Sequence, residues 1–142
     1  MSATFNKFDD FSQQLAKGNH NFGSDVFKVA LTNVLPVSAQ VSLDLVTNNV
    51  APTNTLGYSP TATTVTVSDS SGTTTVQGTQ VVFTASGGAI GPFQYAILYN
   101  DTASPKYVIG WFNYASSISL ADTETFTVKF NNSSPGTLFT LV

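Results

Sequence analysis

The stretch from Ala85 to Asp101 sets Gly87, Gly88, Gly91 and Pro92 ahead of an apolar run, Phe93 to Tyr99. A glycine-rich loop can cradle a phosphate through its backbone N–H groups. That chemistry needs the glycines to be followed by Lys and Ser/Thr at the start of a helix. Here a strand-like run follows, and no lysine lies closer on that side than Lys106. The glycines are expected to allow positive φ or close backbone approach in a strand-to-strand connection, with Pro92 presetting the start of the next strand.

His20 is the single histidine. A Ser-His-Asp arrangement would need it beside a nucleophile and an orienting carboxylate, and no nucleophile elbow or catalytic signature surrounds it. It reads as a turn histidine after a helix C-terminus, where the partial negative charge favours it. Glycoside hydrolysis needs two carboxylates facing each other across a sugar. The adjacent pair Asp9 and Asp10 suits a helix start instead, and Asp122 and Glu124 read as solvated turn residues. No loop carries the several oxygen ligands of a calcium motif.

Trp111 with Tyr99, Tyr107 and Tyr114 offers a sugar-stacking platform, although aromatic residues on strands more often fill a core or a subunit interface. The triplets at Asn100 and Asn132 match the glycosylation pattern and read as chance loop matches. With no cysteine there is no disulfide, thiolate nucleophile or Cys-based metal site. No cofactor, metal ligand set or catalytic group is therefore expected.

Charged residues make up 9% of the chain, so identical copies repel one another weakly. The basic residues are all lysine (Lys7, Lys17, Lys28, Lys106 and Lys129) and the formal charge is −3, which disfavours a nucleic-acid surface. No apolar run reaches the length of a transmembrane helix, and Met1 to Gln14 lacks the pattern of a secretory signal, so neither a membrane span nor export by that route is expected.

The elements that must position these residues follow from period and punctuation. Phe5, Phe8, Phe11 and Leu15 recur at helical spacing, with Asn6 as N-cap and Lys17-Gly18 as the stop. They predict one amphipathic helix over about 7–17, within a helical segment of about 5–18. Val26 to Leu31 predicts a strand. Residues 36–62, broken by Pro36, Pro52, Gly57 and Pro60, read as an irregular loop with one short element at Val41 to Val46.

From 63 to 142 strands follow one another: 63–67, 73–84 with Gly78 as a turn or bulge, 93–99, 107–114, 124–130 and 137–141. In the run from Glu124 to Phe130, Phe126, Val128 and Phe130 share one face. The expected fold is mainly β: an antiparallel β-sandwich or jelly-roll-like domain over 1–142 with one short N-terminal α-helix. The runs 93–99 and 107–114 are apolar on both faces. They belong either at the centre of the core or at an intersubunit contact, and Phe5, Phe8, Phe11, Tyr99 and Trp111 are the candidate contacts to another subunit or a partner protein.

Two groups of segments carry a resemblance. One runs from Thr4 to Leu15, His20 to Asp25 and Phe27 to Asn33; the other covers Phe83 to Asp101, Ile109 to Tyr114 and Leu120 to Val128. Together they span rather more than half of the chain, and they resemble small virion structural proteins of tailed bacteriophages. The resemblance implies a capsid decoration or cement protein at the capsid surface. It would be a homo-oligomer, typically a trimer, that bridges major capsid protein subunits, and no catalytic or cofactor residues come with it. A tail tube, baseplate or fibre component is the alternative, followed by a carbohydrate-binding module.

Overall fold

The β-branched and aromatic runs become strands in the computed structural model, which describes residues 3–43 and 58–142. Ten strands and one helix lie among these residues: β1 (Phe5–Lys7), α1 (Phe11–Ala16), β2 (Phe27–Thr32), β3 (Thr61–Thr63), β4 (Val65–Ser70), β5 (Thr73–Gly78), β6 (Val81–Thr84), β7 (Ile90–Asn100), β8 (Val108–Leu120), β9 (Thr125–Val128) and β10 (Gly136–Leu141). The fold is a mainly β, antiparallel, sandwich-like domain with one short N-terminal helix, as the punctuation predicts.

A five-stranded sheet in the order β1-β8-β7-β2-β3 forms one layer; a three-stranded sheet, β10-β5-β4, and a two-stranded sheet, β6-β9, lie opposite. Between the layers sits one core. Phe27, Val29 and Leu31 of β2, Ala96 and Leu98 of β7, and Ile109 and Phe112 of β8 meet Val76, Leu138, Val81, Phe83 and Val128 from the smaller sheets. Each Phe, Leu or Ile so buried contributes about 1.5–3 kcal/mol of transfer free energy. The alternation read in 124–130 holds, since Val128 and Phe130 are buried while Thr125, Thr127 and Lys129 are exposed.

A second, smaller cluster covers the other face of the five-stranded sheet: Phe8, Ala30, Leu43, Ile97, Tyr99 and Val108, with Trp111 packed against it. The central strands β2 and β7 are therefore apolar on both faces because both faces are covered. The run 93–99 lies within the chain's own core, with Phe93, Tyr95, Ile97 and Tyr99 all buried.

The N-terminal helix is shorter than its periodicity suggests. Phe5 to Lys7 pairs with Gly110 to Phe112 as a strand, because a free sheet edge at β8 satisfies backbone groups that an extra helical turn would satisfy only locally. The N-cap is Asp10, not Asn6, and Gly18 at φ +80 closes the helix as expected. Phe5 and Phe8, one helical stripe on paper, thus reach different clusters, Phe5 the inter-sheet core and Phe8 the outer one.

Three further boundaries differ from expectation, and the first is the run 63–67, which divides between β3 and β4 in two sheets. The run 73–84 is two strands in two sheets, and Gly78 ends the first. A Cβ at Gly78 would lie 2.9 Å from the Thr63 hydroxyl and 3.2 Å from the Phe130 ring, so the change of sheet needs glycine there. β8 continues through 115–120, with Ala115 at φ 70 marking a bulge where a separate loop was expected. Within the loop read over 36–62, residues 44–57 lie outside the described residues, as does most of the element expected at Val41 to Val46. Of that element, Ser42 bridges Tyr107.

Candidate functional site: a buried polar network and the exposed apolar surface

The glycine-rich loop does hold an anion, but it is one of the chain's own. The Gly87 N–H donates to Asp122 Oδ1 at 2.8 Å, and the Ala121 N–H to Glu124 Oε1 at 2.6 Å. Asp122 and Glu124 are caps for two facing turns, a role that their reading as solvated residues missed. Gly91 has φ +119, and a Cβ there would sit 2.7 Å from the Ile118 carbonyl, so positive φ and close approach both apply.

The densest polar constellation lies where β7 ends. Asn100 is fully buried. Its Oδ1 accepts from the backbone N–H groups of Thr102 (3.0 Å) and Ala103 (3.2 Å), which orients the amide. Its Nδ2 then donates to Asp25 Oδ2 (2.8 Å) and the Asn19 carbonyl (3.2 Å), and lies 3.2 Å from His20 Nδ1. The amide nitrogen carries two hydrogens, which Asp25 and the Asn19 carbonyl take, so the His20 Nδ1 contact does not by itself set the tautomer of the ring. Among the described residues Nε2 is buried with no partner. Asn100, read as a chance glycosylation triplet, is thus the tie between the 19–25 turn and the β7–β8 connection, and its side chain is not available to a sugar.

His20 is buried, not turned to solvent, with the rings of Phe11, Phe22, Phe27 and Tyr107 around it. Burial lowers its pKa below the ordinary 6.5, against the opposing pull of Asp25 and Asp10. Next to it, burial disfavours the Asp101 carboxylate, but hydrogen bonds and charge from Lys106 (2.6 Å) and Lys28 (3.0 Å) outweigh this and hold its pKa below 3.8. Tyr99, 0% exposed, is pushed above the usual tyrosine range by burial and by the nearby Asp101.

These shifts predict a two-stage loss of stability in acid. Both folded pKa values are depressed, so each group's contribution is complete above its unfolded pKa and is lost as pH falls through the folded one. Urea midpoints are expected to fall below about pH 6.5 as His20 must charge, and again below about pH 4 as Asp101 protonates. His20→Gln should flatten the first stage and leave the second in place.

The aromatic residues expected at a subunit or capsid contact are largely occupied within the chain. Phe8, Phe11 and Tyr99 are buried, and Phe5 and Trp111 are half-buried. Phe8 packs on Trp111 with ring centroids 4.5 Å apart, and Phe5 on Phe112 at 5.0 Å. Nor do Trp111 and the three tyrosines share a face: Tyr99 and Trp111 belong to the outer cluster and Tyr114 to the inter-sheet core. No common platform for a sugar ring results.

Two open clefts of 580 and 540 Å³ share Ala3, Phe112 and Asn132, and among the described residues Lys129 is the one charged side chain lining either. Neither offers the facing carboxylates of a glycosidase. Among the described residues no three His, Asp or Glu side chains are grouped to hold a metal ion.

Nine large apolar side chains among the described residues remain exposed, none of them an expected contact, and four lie close together. Val34, Leu35, Val37 and Val41 are 49%, 63%, 61% and 43% exposed on one short segment. That segment is held against the main sheet by hydrogen bonds from the Asp9 N–H to the Ser38 carbonyl (2.8 Å), the Val108 N–H to the Val41 carbonyl (3.1 Å) and the Leu43 N–H to the Lys106 carbonyl (2.8 Å). Pro36, buried between Leu35 and Val37, was the available signal: it turns its neighbours outward.

No family model matches the chain, no curated protein matches it, and no solved structure matches its fold.

Proposed function

We propose that the chain is a non-enzymatic structural protein of a tailed-phage virion, a capsid decoration or cement protein that bridges major capsid protein subunits. The observation that carries this reading is the exposed apolar segment 34–41, pinned to a β-sandwich whose own aromatic residues are already packed. Four large apolar side chains held outward on a weakly charged surface suit a protein contact better than solvent. The resemblance of the flanking segments to small phage virion proteins supplies the setting.

In this reading the N-terminal segment stays on its own sandwich, since Phe8 and Phe11 are buried there. The 34–41 segment is the part that reaches a neighbouring capsid subunit. Each copy spans subunits that touch weakly, and contacts repeated over a shell add by multivalency.

Imaging of intact particles from the encoding phage tests this: density for the chain on the capsid surface is expected, and density confined to the tail, or none, would sink the idea. A double variant, Leu35→Lys with Val37→Lys, should fold normally and lose about a hundredfold in affinity for chain-free particles, because two charges would enter an apolar contact.

A further inference from the structure

We infer that the chain pairs with a second copy of itself through the outer edge of β4, joining two three-stranded sheets into one of six strands about a twofold axis. The inference stands apart from the virion reading, which rests on the 34–41 segment.

Free sheet edges are a hazard that proteins usually blunt with short strands, bulges, proline, lysine or a covering loop. The other edges here carry such devices. β1 and β3 have three residues each, and β6 and β9 four each. β10 is bulged between Thr137 and Phe139, and its Gly136 end is covered by the Phe130–Ser133 turn, whose carbonyl oxygens a Cβ at Gly136 would strike. Beyond β1, the free side of β8 is interrupted by Ala115 at φ 70.

Among the described residues β4 has none of these. Its ladder to β5 runs without a break from Val65↔Gly78 to Ser70↔Thr73. Thr66 to Ser70 are exposed, Asp69 is the one charge, and among the described residues nothing pairs with the outer edge. The hairpin turn, Ser71 at φ 51 and Gly72 at φ 83, matches strand twist, so the edge is stiffly presented.

The occupant that fits is the same edge of another copy. Antiparallel pairing centred on Val67 sets Val67, 48% exposed, against its counterpart and Thr66 against Ser68, a hydroxyl pair of the kind that stabilises facing strands. Asp69 then faces Val65 of the second copy, so the two carboxylates do not oppose each other. Such a contact is isologous and closes on itself as a dimer. The first self-contact is therefore twofold, where the family resemblance implies a trimer.

The chain's lack of cysteine makes the test direct. Sedimentation velocity is expected to show a concentration-dependent dimer for the wild type and a monomer for Val67→Lys, with unchanged circular dichroism. Under mild oxidation Val67→Cys should form a disulfide-linked dimer about a hundredfold faster than Ser116→Cys, an exposed site on β8 in the other sheet. A wild type that stays monomeric to about 1 mM, an oligomer insensitive to Val67→Lys, or equal rates for the two cysteine variants would each overturn the inference. Cross-linking of a different stoichiometry, or capture of an unrelated strand in place of a second copy, would overturn it as well.

Discussion

Phe8→Ala is expected to destabilise the isolated chain by about 3–5 kcal/mol and to lower its melting temperature by about 10 °C. Phe8 is 0% exposed, its N–H donates to the Ile109 carbonyl at 3.0 Å, and its ring packs on Trp111. Truncation would leave a cavity between the N-terminal segment and the outer face of the five-stranded sheet, a place where backbone pairing on the β1 side resists collapse. Trp111 is the single tryptophan, so its emission reports on this site alone and should shift to longer wavelength. Urea unfolding followed by that emission checks the prediction. An unchanged midpoint would mean that Phe8 is not packed on its own chain and is free for a neighbour. Phe5→Ala should cost less, since Phe5 is half-buried.

Asn100 carries the second large effect. Asn100→Ala removes an acceptor for two backbone N–H groups and the two amide hydrogens that serve Asp25 and the Asn19 carbonyl beside His20, and leaves those groups unpaired in a partly buried site. The expected cost is about 2–3 kcal/mol, since a polar group left unpaired costs about 1–3 kcal/mol and most of these keep some access to water. Asn100→Asp separates shape from hydrogen bonding. It keeps the acceptor for Thr102 and Ala103 but sets a carboxylate where Asp25 Oδ2 is 2.8 Å away. Two carboxylates sharing a site raise a folded pKa, which makes the stability contribution larger as pH falls. The deficit of Asn100→Asp relative to wild type is therefore expected to narrow from pH 7 to pH 4. Urea midpoints at the two values would show it, and a deficit independent of pH would show that Asp25 does not face the new carboxylate.

Much of the β-sheet order was legible because its signals are local. In 124–130 the period of two matches the buried face residue by residue, and the Gly18 stop and the turn at Gly87 each state a backbone need that sits within a few residues. The failures have one cause, competition from partners distant in sequence. Phe5 to Lys7 has a helical pattern, but β8, about a hundred residues on, offers an edge. His20 does lie in the turn after the helix, but it is a buried residue there because Asn100 and four aromatic rings close around it.

The chain's residues by themselves determine that it builds an antiparallel β-domain with a short N-terminal helix, that thiol chemistry is excluded, and that the surface carries little charge. These follow from composition, from period and from the positions of glycine and proline, all of which act over a few residues. Only the tertiary structure decides which apolar side chains are left for contacts. The expected contacts Phe8, Phe11 and Tyr99 are consumed at home because the five-stranded sheet is covered on both faces. Among the described residues the Val34 to Val41 segment and the β4 edge stay open because each is held by hydrogen bonds on one side only. Whether an apolar side chain is core or surface depends on what packs over it, and that is set by chain reversals and strand order, which no short stretch of residues encodes.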